Sequence, residues 1–136
     1  MDLILSYNNN EVVMVFPVVN NEGVEIQSPQ SNGTFDSTQG EMNTIGPMGL
    51  RSVSISSIFP NREYPWIRPR ASADGWRYVS LIEAGRRRYI PFRVILLDNL
   101  NMACTVDNFA YHRDRAGDVA YTLDLREYRF MTYKVR

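Results

Sequence analysis

Only one short stretch of this chain carries a helical repeat of apolar residues. Over residues 75–84, Tyr78, Val79 and Ile82 follow i, i+1, i+4 spacing, with Leu81 beside them, so they share one face of a helix. Asp74 stands where it can cap the first turn, and Gly85 is placed to end the helix in a left-handed conformation. Arg86, Arg87 and Arg88 follow, where the partial negative charge of a helix end favours cations. Every other patterned segment reads as strand. The order strands, one helix, strands predicts a mainly β domain, either a β-sandwich or a partly closed barrel, with one short flanking helix. A chain of 136 residues that is 44% hydrophobic can build one core, so residues 1–136 are read as a single domain.

Leu3-Ile4-Leu5-Ser6-Tyr7 and the run from Glu11 to Val19 read as a hairpin across Asn8-Asn9-Asn10, a turn because asparagine tolerates positive φ. Apolar groups fall on both faces of the second run, which predicts a strand covered on two sides. Val24-Glu25-Ile26 is a weaker third strand. From Leu50 to Phe59, Val53 and Ile55 alternate with Ser52, Ser54 and Ser56, the pattern of a half-buried strand. Three more strands are expected at residues 90–97, 102–111 and 119–133, the second with a phase slip near Asp107-Asn108. In the third, the inward set Tyr121, Leu123, Leu125 resumes as Tyr128 and Phe130, which predicts a β-bulge at Arg126-Glu127.

Residues 28–49 break the pattern. Pro29, Gly33, Gly40, Gly46, Pro47 and Gly49 punctuate a polar stretch that still carries Phe35, Met42, Ile45 and Met48. A loop this long in a small domain is usually functional or disordered. The two readings are a floppy hairpin with local contacts and an arm that lays these side chains on a neighbouring subunit. Pro60, Pro65 and Pro69 then space Tyr64, Trp66 and Ile67 along an extended connection that also holds Arg68 and Arg70.

The net charge is zero, which argues against a chain-wide grip on nucleic acid or anionic lipid. The charges are nevertheless segregated. Residues 1–50 hold Asp2, Glu11, Glu22, Glu25, Asp36 and Glu41 and no Lys or Arg, whereas Arg51 to Arg93 is arginine-rich. Arginine forks pair with carboxylates in two-point geometry, so the two regions are suited to meet, within one fold or between subunits.

No catalytic constellation is visible. His112 is the only histidine and no nucleophile is tied to it by a motif, so a solvated turn residue is the reading adopted. Cys104 is alone, reads as a small buried thiol, and with one histidine supplies no zinc site. Asp114 and Asp118 flank a glycine-containing turn without the alternating ligands of a calcium loop. No phosphate-binding glycine motif is present. These absences predict a non-enzyme with no catalytic, cofactor or metal residues. Rings and arginines over 64–70 and 86–88 would suit bases and phosphates. A nucleic-acid- or peptidoglycan-binding module is therefore the alternative, while protein interface anchoring fits the same residue types better. Met1-Asp2 lacks the basic start of a signal peptide and no apolar run is long enough to span a bilayer, so folding in a cytoplasm and no membrane partner are expected.

Several segments together resemble a family of tail proteins from contractile-tailed phages and PBSX-type defective prophages of Gram-positive bacteria. They are Met1 to Asn9, Phe16-Pro17-Val18, Gly40-Glu41-Met42-Asn43-Thr44-Ile45-Gly46, and Ser54-Ile55-Ser56-Ser57-Ile58-Phe59-Pro60-Asn61-Arg62-Glu63-Tyr64-Pro65. Tyr78 to Glu83, Asn101-Met102 and Asp118 to Tyr128 extend the similarity along the chain. The resemblance implies the tail-tube-like domain that precedes a LysM domain in most members, here without that domain, so peptidoglycan binding is not carried over. It also implies a virion baseplate or tube-initiator subunit, assembled in the host cytoplasm. Its partners would be copies of itself in a six-fold ring and tube, hub and wedge subunits, with no sequence-specific nucleic acid. The interface residues expected on this basis are Phe35, Met42, Ile45, Met48, Tyr64, Trp66, Arg68, Arg70, Arg86, Arg87 and Arg88. The alanine and glycine at 84–85 stand where the family has a longer helix, so a shorter helix is expected here.

Overall fold

The structure, a computed structural model, describes residues 3–17, 23–61, 74–96 and 100–130. Its strands are β1 (Leu3–Tyr7), β2 (Val12–Val15), β3 (Val24–Gln27), β4 (Gly33–Ser37), β5 (Gly40–Thr44), β6 (Ser52–Phe59), β7 (Phe92–Leu96), β8 (Leu100–Arg113) and β9 (Val119–Glu127), with one helix, α1 (Gly75–Arg87), between β6 and β7. Seven strands form one antiparallel sheet in the order β2-β1-β7-β8-β9-β6-β3, and β4 and β5 form a separate two-stranded hairpin. The fold is thus mainly β with a single helix. The sheet does not close fully, which fits the mainly β class with one short helix that the sequence predicts.

Strand alternation sets the inner face. Leu3, Leu5 and Tyr7 of β1 oppose Leu96, Val94 and Phe92 of β7, and those oppose Leu100, Met102 and Cys104 of β8. On the other side of the sheet Val53, Ile55 and Phe59 of β6 oppose Leu125, Leu123 and Val119 of β9. All of these are buried. Between Val106 and Asn108 the register of β8 shifts, so its inward set passes from Met102, Cys104 and Val106 to Phe109 and Tyr111. This is the phase slip expected at Asp107, and Thr105 Oγ1 (3.0 Å) and the Arg126 guanidinium (3.1 Å) both bond the extra residue's carboxylate.

The helix lies on the inner face and is anchored at both ends. A Cβ on Gly75 would come within 2.5 Å of Phe59 O, and one on Gly85 within 2.6 Å of the Phe92 ring and 2.8 Å of Tyr7, so only glycine permits either approach. Two phenols add hydrogen bonds at the same ends: Tyr78 donates to Val15 O (2.7 Å) and Tyr7 donates to Leu81 O (3.0 Å). Phe59 is stacked between Tyr78 (4.8 Å between centroids) and Tyr121 (3.9 Å), and Phe16 meets Phe59 edge-on at 5.3 Å. Phe16 follows edge strand β2 and Phe59 ends β6, so these rings hold distant parts of the curled sheet together. Burial pushes the Tyr121 hydroxyl far above its usual pKa, and among the described residues it has no hydrogen-bond partner. Burial likewise pushes the Cys104 thiol up to about 12.

Several expectations are corrected. The helix runs to Arg87, longer than expected, and Gly85 is buried inside it instead of ending it. The left-handed residue is Tyr89, at φ 56°. Asp74 occupies the N-cap position but makes no side-chain cap hydrogen bond. Strand β2 is an edge strand with Val13 exposed, so it is covered on one face only. Strand β9 stops at Glu127 with its register unbroken, and Tyr128 and Phe130 are exposed; the bulge belongs to β8 alone. His112 is an exposed residue of β8, not of a turn. The turn at 114–118 is capped: Asp114 Oδ1 accepts from the backbone N–H groups of Ala116 and Asp118, both at 2.9 Å. Asn8, Asn9 and Asn10 all take positive φ, as the hairpin reading required.

Glu127 joins β9 to the base of the β4–β5 hairpin. Its carboxylate accepts from the Arg51 side chain (3.1 Å) and backbone N–H (3.0 Å), and these bonds hold its pKa below the ordinary value of 4.5. Lowering the folded pKa makes the ionised form stabilising. The contribution is present above the ordinary glutamate value and is lost as pH falls through the lowered one. Glu127→Gln is therefore expected to reduce stability near neutral pH and to flatten its acid dependence, measured by denaturant unfolding at a series of pH values. Gly75→Ala is expected to cost about 1–3 kcal/mol in the same assay, since its neighbour is rigid backbone. Unchanged stability would show that the helix can move off Phe59.

Candidate interaction surface

The segment at 28–49 is an ordered hairpin. Phe35 pairs directly with Met42, and Asp36 with Glu41. Alternation puts Phe35 and Met42 on one face and the two carboxylates on the other. The tip closes with Gly40 at φ 109°, a conformation open to glycine, and Ser37 Oγ accepts from Gln39 N–H (3.1 Å) and donates to Gly40 O (2.9 Å). The base is tied by backbone bonds from Ser31 to Pro47 O and from Gly49 to Pro29 O, both 2.9 Å. Gly46 N–H donates to Asn32 Oδ1 (3.0 Å), and the Arg129 guanidinium reaches Gly49 O (3.1 Å).

This arm stands away from the body. Phe35, Met42, Ile45 and Met48 are all exposed, Ile45 by 84%. Like charges directly opposed across a hairpin are destabilising, and among the described residues no cation pairs with Asp36 or Glu41. The sequence therefore builds a stiff arm with an apolar face and an acidic face, and among the described residues neither is covered or paired.

A second surface lies where α1 ends. Arg86 pairs with Glu83 (2.8 Å), and Arg88 pairs with Glu11 (3.3 Å), whose carboxylate also accepts from Asn8. The Asn8 and Arg88 contacts lower the Glu11 pKa. Among the described residues, the acidic and arginine-rich regions thus meet at the Glu11–Arg88 pair. Arg87 is exposed, with no ion pair among the described residues. Tyr89 is 96% exposed. With Ile90, Pro91, Val106 and Tyr128 it lines a groove of about 400 Å³, with Arg86 at the rim. Phe130 meets Tyr128 edge-on at 5.0 Å. Tyr64, Trp66, Arg68 and Arg70 lie outside the described residues.

Tyr89, Tyr128 and Phe130 were not among the expected interface residues. The first follows the arginine run, and its exposure depends on the helix continuing past Gly85. The last two were assigned to the core by extending strand alternation beyond the true end of β9. Among the described residues, no group of three or more His, Cys, Asp or Glu is placed to hold a metal ion. No protein-family model and no curated protein matches this chain.

An aromatic residue in the left-handed region costs about 1–2 kcal/mol relative to glycine. Tyr89→Gly is therefore expected to raise the stability of the isolated protein by about 1 kcal/mol, read by thermal or denaturant unfolding. A loss of stability would mean that the tyrosine ring makes compensating contacts with its own body.

Proposed function

We propose that this protein is a structural subunit of a contractile-tail baseplate, in a phage or a phage-tail-like particle, joining the tube and hub to the surrounding parts by subunit contacts. The observation that carries the reading is the β4–β5 arm: a stiff hairpin that leaves Phe35, Met42, Ile45 and Met48 in water. Fully burying a Phe or Met side chain contributes about 1.5–3 kcal/mol, so such an arm has a strong drive to find a second surface. Extended patches of this kind mark interaction sites. The resemblance to tail proteins supplies the setting, and copies of the same chain in a ring are the first partners to consider.

The edges of the sheet support the same reading. Among the described residues, strands β2 and β3 both end the sheet without a further neighbour, and each is four residues long. Short edge strands resist indiscriminate pairing but still offer backbone groups to a correctly placed chain. The arginine contribution is narrower than the sequence suggested, because Arg86 and Arg88 are engaged within the fold, and among the described residues Arg87 is the one of the three without an ion pair.

The test is incorporation into particles. Phe35→Ser with Met42→Ser is expected to leave the unfolding temperature of the isolated protein nearly unchanged, since both residues are exposed, and to prevent its recovery in assembled tails. Cryo-electron microscopy of the intact particle would then locate the arm. An arm lying in solvent there, or particles that form normally with the double variant, would overturn the assignment.

A further inference from the structure

We propose that the junction between the β4–β5 arm and the sheet is a hinge, and that Glu127 and Arg129 form a latch that holds the arm in one stance. The device acts within one chain and does not depend on which surface the arm meets.

The two limbs of the arm are out of step with the sheet. Gln27 of β3 opposes Ser52 of β6, and the next rung outward joins Gln30 to Met48. Between these rungs the outgoing limb has residues 28 and 29, whereas the return limb has 49, 50 and 51. The mismatch repeats before Gly33 opposes Thr44, with residues 31 and 32 against 45 to 47. An extra residue on one limb breaks the ladder and bends the chain, so the arm leaves the sheet through two kinks.

The outer kink is closed within the arm. Asn32 Oδ1 accepts from Gly46 N–H (3.0 Å), Gln30 Nε2 donates to Gly46 O (3.0 Å), and Ser31 N–H donates to Pro47 O (2.9 Å). A Cβ on Gly46 would lie 1.6 Å from Ser31 O, so the limbs touch there without slack. At the inner kink, among the described residues, no hydrogen bond joins Ser28 to Leu50 or Arg51. That kink is bridged from the body instead. Glu127 donates its N–H to Arg51 O (2.7 Å) and accepts from the Arg51 N–H (3.0 Å) and guanidinium (3.1 Å). The Arg129 guanidinium donates to Gly49 O (3.1 Å) and Met48 O (3.5 Å) and lies 3.8 Å from the same Glu127 carboxylate. These contacts grip the return limb on either side of Leu50.

Beyond this grip, arm and body share little packing among the described residues. When the grip opens, everything outward of Pro29 and Gly49 moves as one piece, and Ser28 and Leu50 take up the rotation. Hinges are a few residues of this kind, at the ends of elements. The two ends of the grip differ in strength. The Glu127 side chain is 15% exposed, and its bonds to Arg51 are shielded. The Arg129 side chain is 55% exposed, and exposed ionic contacts contribute little against water, so this end opens first. A latch this weak sets the resting stance without fixing it, and a partner that prefers another stance has little to overcome.

The test is a distance measurement on the whole chain. Nitroxide labels are placed at Gln39→Cys on the arm tip and Arg115→Cys in the turn after β8, both exposed, while the buried Cys104 stays unlabelled. Pulsed electron paramagnetic resonance is expected to give one narrow distance distribution. Adding Arg129→Ala is expected to broaden it, and Arg129→Lys, which keeps the charge and a donor, to narrow it again in part. Amide hydrogen exchange in β4 and β5 is expected to stay unchanged in Arg129→Ala, because the arm's own rungs remain. A distribution as narrow in Arg129→Ala as without it, or one already broad before the substitution, would show that Arg129 holds nothing. Lost protection of the β4 and β5 amides would show an arm that melts instead of swinging. None of these readings involves self-association or particles, so the assembly reading stands or falls separately.

Discussion

The fold depends on how closely a single helix can approach the inside of a curled sheet. At Gly75 the helix backbone rests on the carbonyl of Phe59, and at Gly85 it rests on the rings of Tyr7 and Phe92. The two glycines are ten residues apart, a separation of about 15 Å along a helix, so the helix acts as a strut of fixed length between the end of β6 and the start of β7. The hydrogen bonds from Tyr78 to Val15 and from Tyr7 to Leu81 fasten it to β2 and β1. With both ends set, the sheet curls round the helix face, and the stacked rings of Tyr78, Phe59 and Tyr121 fill the space. Glycine in a helix interior costs about 1 kcal/mol relative to alanine, so propensity opposes this arrangement and tertiary packing decides it.

The same close approach separates what the sequence revealed from what it hid. Strand alternation in β6 and β9 was legible because one face of each is mostly apolar, and the phase slip at Asp107 was visible as two misaligned apolar sets. The end of the helix was not legible. A glycine before three arginines has the composition of a stop signal, and only the packing against Phe92 and Tyr7 shows that it belongs to the interior. Misplacing that end concealed Tyr89. Tyr128 and Phe130 misled for a related reason: alternation continues in sequence past the end of β9, so apolar residues beyond Glu127 resemble core while being exposed.

The arm illustrates a division of labour along the chain. Phe35, Met42, Ile45 and Met48 were recognisable as apolar residues that a solvated loop does not require, and they are exposed. That they sit on an ordered hairpin was less evident, because its strands are rich in Gly, Thr, Asn and Ser. Its order comes from local bonds: the Ser37–Gly40 tip, the Asn32–Gly46 contact and the Arg129 tie to Gly49. Among the described residues arm and body share little packing, so substitutions at the arm's exposed positions are separable from the stability of the core.

Cys104 has a quieter consequence. Its thiol is enclosed beside β7 and its pKa is pushed up to about 12, so almost none of it is thiolate at neutral pH. The thiolate is the species that oxidants and disulfides capture. A sulfhydryl that is both walled off and protonated is a poor partner for thiol–disulfide exchange, so this one cysteine is insulated from the redox state of its surroundings.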